Sequence, residues 1–134
     1  MVPPVSPRRE VVTGPDLPPA LGPYSAGVRG GDFLYVAGQA GTDPATGEPA
    51  GETLAEQARQ AMRNVEAVLR AGGSRPELVV NVTVLVADIS GFGVVNEIFG
   101  ETFPSEPPAR MTMQVPLPHG LLISIGCVAL VDSP

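Results

Sequence analysis

One guanidinium stands apart in this sequence. Arg110 follows the rigid run Pro107-Pro108-Ala109 and is the only basic residue after Arg75. A stiff lead-in to a single fixed cation suits a carboxylate clamp, because the planar guanidinium can meet both oxygens with parallel hydrogen bonds. The competing reading is a structural ion pair or a cap on a sheet. Strand alternation puts Arg110, Thr112 and Gln114 on one face, with Met111, Met113 and Val115 on the other. On the last strand Leu122, Ser124, Gly126 and Val128 share a face, with Ile123, Ile125 and Cys127 opposite. A hairpin between these two strands would bring Arg110 and Thr112 beside Ser124 and Gly126, a polar patch over a small-residue floor.

Other chemistries are excluded by what is missing. All eight basic residues are Arg, so no Lys is present to form a Schiff base or to grip phosphates in a Walker A loop. His119 and Cys127 are singletons, too few for a zinc site of nitrogen and sulfur ligands within one chain, and one Cys allows no internal disulfide. His119 lies in Pro116-Leu117-Pro118-His119-Gly120, which reads as a loop, so an exposed turn residue is expected rather than a triad base. Cys127, opposite Ser124, is expected to pack in the core. The net charge of −6 counts against nucleic acid and anionic membrane surfaces as partners. No secretory h-region and no membrane-length apolar run are visible, so a cytoplasmic location is expected.

The elements that must position these residues follow from pattern. A chain of 134 residues, 43% hydrophobic and 16% charged, supports one domain with one modest core. Residues 1–13 form a Pro-rich segment with room for a short edge strand near Val11-Val12, and residues 14–134 form the domain. Val28 ends one strand and Phe33–Ala37 makes the next, with Gly30-Gly31 supplying positive φ values for a tight turn. Thr53-Leu54-Ala55-Glu56 is a capping box that opens a helix. Leu54, Ala58, Ala61, Met62, Val65, Val68 and Leu69 form its apolar stripe, and Gly72-Gly73 stops it. Arg59, Arg63 and Arg70 fall on its solvated face. Leu78–Ala87 reads as a β-branched strand with Val80, Val82, Val84 and Val86 on one face. Ser90 is positioned to cap a second helix bearing Phe92, Val95, Ile98 and Phe99, and Pro104 ends it. Strands at Arg110–Val115 and Leu121–Leu130 complete an α+β order: one mixed sheet with two helices on a face. The other face needs cover, which predicts oligomerisation.

Six motifs then carry a resemblance. Gly22-Pro23-Tyr24-Ser25, Val36-Ala37-Gly38-Gln39, Asp43-Pro44-Ala45-Thr46-Gly47-Glu48, Gln57-Ala58-Arg59-Gln60, Val95-Asn96-Glu97 and Pro108-Ala109-Arg110 occur in the order and spacing of the reactive-intermediate deaminase family, also called Rid or YjgF. The resemblance covers about residues 14–130. It implies a chorismate-mutase-like α+β fold and a homotrimer with pockets at the subunit clefts. It also implies hydrolysis of enamines and imines such as 2-aminoacrylate to 2-keto acids and ammonia, without metal or cofactor. Arg110 matches the family's carboxylate-binding Arg, Tyr24 its pocket Tyr, Gly38 its glycine backbone contact and Asn96 the Asn of its second helix.

Departures from that pattern fall at the chemistry. Ala37 stands where a Ser often precedes the Gly-Gln pair, and Thr112 where a Cys follows the Arg. Ser124 stands where deaminase members carry the Glu that holds the hydrolytic water, and the loop before His119 is shortened. A hydroxyl can hydrogen-bond a water but is a far poorer base than a carboxylate. The resemblance therefore implies either an imine deaminase with altered machinery, using Arg110 and Ser124, or a relative diverted to another reaction or to binding a small keto or imino acid. Some relatives are described as endoribonucleases; the acidic charge and absent Lys count against that activity here.

Overall fold

The computed structural model describes residues 8–132. A single six-stranded mixed sheet carries two helices on one face. Its strands are β1 (Arg9–Val12), β2 (Gly27–Gly30), β3 (Phe33–Ala40), β4 (Val79–Val86), β5 (Ala109–Gln114) and β6 (Ile123–Leu130), with helices α1 (Leu54–Ala71) and α2 (Phe92–Thr102). The spatial order is β1-β2-β3-β6-β4-β5, and only the β4–β5 pair is parallel. A parallel neighbour needs a crossover, which α2 provides.

The capping box forms as its spacing predicts. The Thr53 hydroxyl accepts from the Glu56 amide, and the Glu56 carboxylate accepts from the Thr53 amide. The apolar stripe of α1 is buried against β3 and β6, with Ala58, Ala61, Val65, Val68 and Leu69 almost fully enclosed. Beneath lie Leu34, Val82, Val84, Val86, Ile123 and Ile125. Burial of aliphatic side chains at ~1.5–3 kcal/mol each makes this layer the main source of stability.

Four local expectations are corrected. In the β2–β3 hairpin Gly30 pairs with Phe33 in the ladder, so Gly31 (φ 61°) and Asp32 make the turn and Gly31 alone of the two glycines has positive φ. In β4 an irregularity between Val79 and Asn81 turns Val80 outward and Val79 inward, so the inner face is Val79, Val82, Val84 and Val86. At α2 the capping acceptor is Asp88, whose side chain takes the Ser90 amide and opens a 3₁₀ turn over Ile89–Gly91. Ser90 lies inside that turn, and Gly91 is the N-cap of α2 with no side-chain bond. Finally, β5 and β6 are not a hairpin, because β4 lies between them. The cause is burial. The inner residues of β6, Ile123, Ile125, Cys127 and Ala129, are all enclosed and suit a central strand, whereas Arg110, Thr112 and Gln114 suit an edge.

The sheet face away from the helices is bare in one chain. Tyr35 is 51% exposed, Met111 58% and Met113 41%, with Val28, Leu85 and Val128 on the same side. Among the described residues no helix is long and apolar enough to cross a membrane.

Candidate functional site

Two constellations emerge, on opposite faces of the sheet. The first is centred on Arg110, which shares a ladder row with Val82 and Cys127 on the helix-covered side. Its Nη2 donates to Asn96 Oδ1 at 2.5 Å. Its guanidinium carbon lies 5.2 Å from the centre of the Phe92 ring and 4.9 Å from that of Phe99. Phe92, Asn96 and Phe99 are spaced i, i+4 and i+7 along α2, so one helical face provides every contact. Stacking of a cation on aromatic faces fixes its orientation without neutralising it. Among the described residues Arg110 makes no ion pair. That removes the structural ion pair as its explanation there. Two residues along the same face, Thr112 Oγ1 is buried without a hydrogen-bond partner. Phe92, placed on the buried side of α2 by its periodicity, is instead 43% exposed, because it serves the guanidinium rather than the core.

The second constellation is a cleft of about 160 Å³ on the bare side, where Tyr24, Gly38, Thr42, Leu121 and Ser124 converge. Ser124 shares a row with Ala40, Leu85 and Met113. A Cβ at Gly38 would stand 2.6 Å from Ser124 Oγ, so glycine is what lets the hydroxyl face this wall. The Tyr24 hydroxyl accepts the Leu21 amide at 3.1 Å, closing the Pro-rich segment over the cleft. None of the residues lining the cleft is a carboxylate or a base.

Of the sequence-predicted residues, Tyr24, Gly38 and Ser124 thus meet in one place, and Asn96, Arg110 and Thr112 in another. The expected single patch of Arg110 and Thr112 beside Ser124 and Gly126 does not form within one chain, since β4 intervenes and the two sets face opposite ways. His119 is an exposed turn residue with φ 58°. Cys127 is enclosed by the core, and burial pushes its thiol up to about 12. A larger open cleft of about 760 Å³ at the far end of the strands holds Arg8, Arg9 and Arg29 together with Glu10, Asp32 and Asp132. It contains none of these residues, and its charges balance.

Sequence reasoning missed Gln57 and Asn64. Both fall on the buried stripe of α1, seven residues apart, and both are 2% exposed. Polar residues at stripe positions were the available signal.

The comparisons with known proteins agree on the family. Residues 15–131 match the Endoribonuclease L-PSP family. This chain belongs to the RidA/YjgF family. The human 2-iminobutanoate/2-iminopropanoate deaminase is 42% identical over 123 residues, covering 91% of this chain and 90% of its own. A RutC family protein of Pyrococcus horikoshii is 38% identical over 122 residues, covering 90% and 97%. The crystal structure of RidA from an Antarctic Psychrobacter superposes with a TM-score of 0.88 at 34% identity, covering 91% of this chain and 99% of its own. The chorismate-mutase-like architecture expected from the six motifs is thus the architecture of solved RidA/YjgF proteins.

Proposed function

We propose that this RidA/YjgF chain hydrolyses small enamine or imine acids, of the 2-aminoacrylate kind, to 2-keto acids and ammonia. The observation that carries the reading is the Arg110 guanidinium. It is held by Asn96, Phe92 and Phe99 and has no carboxylate partner among the described residues, so its remaining N–H groups are available to an incoming carboxylate. In this reaction water adds to the imine carbon, protons pass to nitrogen, and the C–N bond breaks to leave the keto acid. Arg110 would hold the carboxylate, and the Ser124 hydroxyl would orient the water. The names of the relatives, an iminobutanoate/iminopropanoate deaminase among them, support the same substrate class.

Arg110 and Ser124 can serve one substrate only if two chains supply them. The bare apolar face, with Tyr35, Met111 and Met113 exposed, is the natural surface for that association. We therefore read the protein as a homotrimer whose three pockets lie at subunit seams, Arg110, Thr112 and Asn96 coming from one protomer and Tyr24, Gly38 and Ser124 from its neighbour. Closed symmetry gives each seam the same composition.

A second reading is favoured by the neutral cleft. With no carboxylate lining it, water activation is weak, and the protein would bind a keto or imino acid or serve a different reaction. One assay separates the two. A dehydratase generates 2-aminoacrylate, and loss of the imine absorbance is followed with and without the protein. Acceleration that disappears in Arg110→Ala supports hydrolysis. No acceleration at micromolar protein overturns it in favour of binding.

A further inference from the structure

We propose that Gln57 and Asn64 of α1 are positioning residues that fix the two walls of the Ser124–Gly38 cleft. The inference rests on the reading of that cleft as half of the substrate pocket. Both amides are buried to the same degree, yet neither bonds the backbone of its own helix. Asn64 Nδ2 donates to the carbonyls of Ala40 and Thr42, at 2.9 and 2.8 Å, and its Oδ1 accepts from Gln60 at 2.9 Å. Gln57 Nε2 donates to the Gly51 carbonyl at 3.0 Å, and its Oε1 accepts the Leu122 amide at 2.8 Å. Of these targets, Ala40, Thr42 and Leu122 belong to the backbone at or beside the cleft, and Gly51 lies in the loop before α1. Ala40 and Thr42 line one wall, and Leu122 lies between the lining residues Leu121 and Ser124 of the other. Between the two Asn64 acceptors, Gly41 packs so tightly on the Gln57 backbone that a Cβ would have no room.

Apolar side chains would fill these stripe positions without the cost of burying an amide. The amides instead span from a rigid helix to the segment that leaves β3 at Ala40–Thr42 and to the one that enters β6 at Leu122, where the ladder pairing of Ala40 with Ser124 ends. A fully satisfied buried network specifies one arrangement. Thus α1 does more than close the core: it braces the backbone that runs on from the Ala40–Ser124 ladder pair on both sides of the cleft.

The test uses the full-length protein well below its melting temperature, with Gln57→Met and Gln57→Glu. Amide exchange is read at Leu122, and affinity is read with 2-ketobutyrate as the probe. Gln57→Met removes both bonds, and Leu122 should exchange about tenfold faster with keto acid affinity about tenfold weaker, at every pH. The carboxyl introduced by Gln57→Glu replaces both bonds when protonated and loses the one to Gly51 when ionised. Its affinity should therefore approach the parent's at pH 5 and fall away by pH 8, while the parent shows no such difference. Unchanged affinity in folded variants, with only a lower Tm, would reduce Gln57 to a structural role and overturn the proposal. If the parent itself binds no keto acid, the reading of the pocket fails instead. The exchange arm then decides alone: unchanged protection at Leu122 and Ser124 overturns the inference, and faster exchange upholds the wall-fixing role.

Discussion

The Arg110 edge and the Ser124 cleft are built by opposite means. At the edge, a charge is held in place by side chains from one helix, two rings and one amide, and among the described residues it has no carboxylate partner. In the cleft no lining residue is charged, and backbone and small side chains set the shape, with the walls tied to α1 through buried amides. Under the proposed function, the contrast makes substrate capture and water handling separate modules. In that reading capture depends on one guanidinium, whose planar fork matches a carboxylate. In the same reading water handling depends on shape and on one hydroxyl.

The sharpest way to break the comparison is to remove the cation. Arg110→Ala should weaken keto acid binding by about a hundredfold, since bonds to a charged group contribute ~1.5–3 kcal/mol each. Calorimetric titration checks it, and retained affinity would mean that the edge does not capture substrate. The next effect falls on the cleft alone. Ser124→Glu should raise imine hydrolysis by ~10²-fold, the low end of general acid–base contributions, with little change in keto acid affinity. A rate that stays at the parental level would show that the cleft has departed further from the deaminase arrangement than one residue. A smaller loss is expected from Asn96→Ala, about fivefold in affinity, because it frees the guanidinium while leaving both rings in place.

Two further measurements sharpen the contrast between working and packing groups. Cys127 lies on the same row as Arg110 but faces the core, and with its thiol pushed up to about 12 it stays protonated at neutral pH. A thiol-alkylating reagent should leave the folded protein unlabelled at pH 7.5 and label it in denaturant; rapid native labelling would contradict the burial. The exposed Arg59–Glu101 pair ties α1 to α2, and the hydrogen bond from Arg59 holds the Glu101 carboxyl below its ordinary value of 4.5. A depressed acid contributes stability above its ordinary value and loses it as pH falls through the lowered one. Arg59→Ala should therefore lower Tm slightly at pH 7, and by progressively less as the pH falls below the carboxyl's ordinary value. A shift that stays equal as the pH falls would remove the ion pair as the cause.

The sequence made α1 legible because its cap, its stripe and its stop agree at three independent levels, and the alternation held from Arg110 to Gln114 on β5 and from Ile123 to Val128 on β6, with Val115 and Leu122 outside the strands. Pairing was not legible. Alternation says which residues share a face of their own strand and nothing about which strand lies beside it. β5 and β6 are consecutive, and a hairpin is the local solution. The parallel docking of β5 on β4 through α2 is a long-range choice driven by enclosing Ile123, Ile125, Cys127 and Ala129. That one difference separates the expected intrachain patch into two constellations on opposite faces of the sheet. Phe92 was misplaced for a related reason, since helical periodicity cannot distinguish a ring that fills the core from one that stacks on a guanidinium across the element boundary. Gln57 and Asn64 were hidden because a polar residue on a buried stripe reads as an interruption until its acceptors are known.

Subunit complementation tests most directly whether the two half-sites work together. Arg110→Ala lacks the cation and Ser124→Trp fills the cleft, so neither homotrimer should bind 2-ketobutyrate. Refolded together at equal amounts, the two chains should regain about a quarter of the parental binding sites, because each seam draws its halves independently from neighbouring protomers. No recovery in the mixture, or full binding by a parental chain shown to be monomeric, would contradict the account.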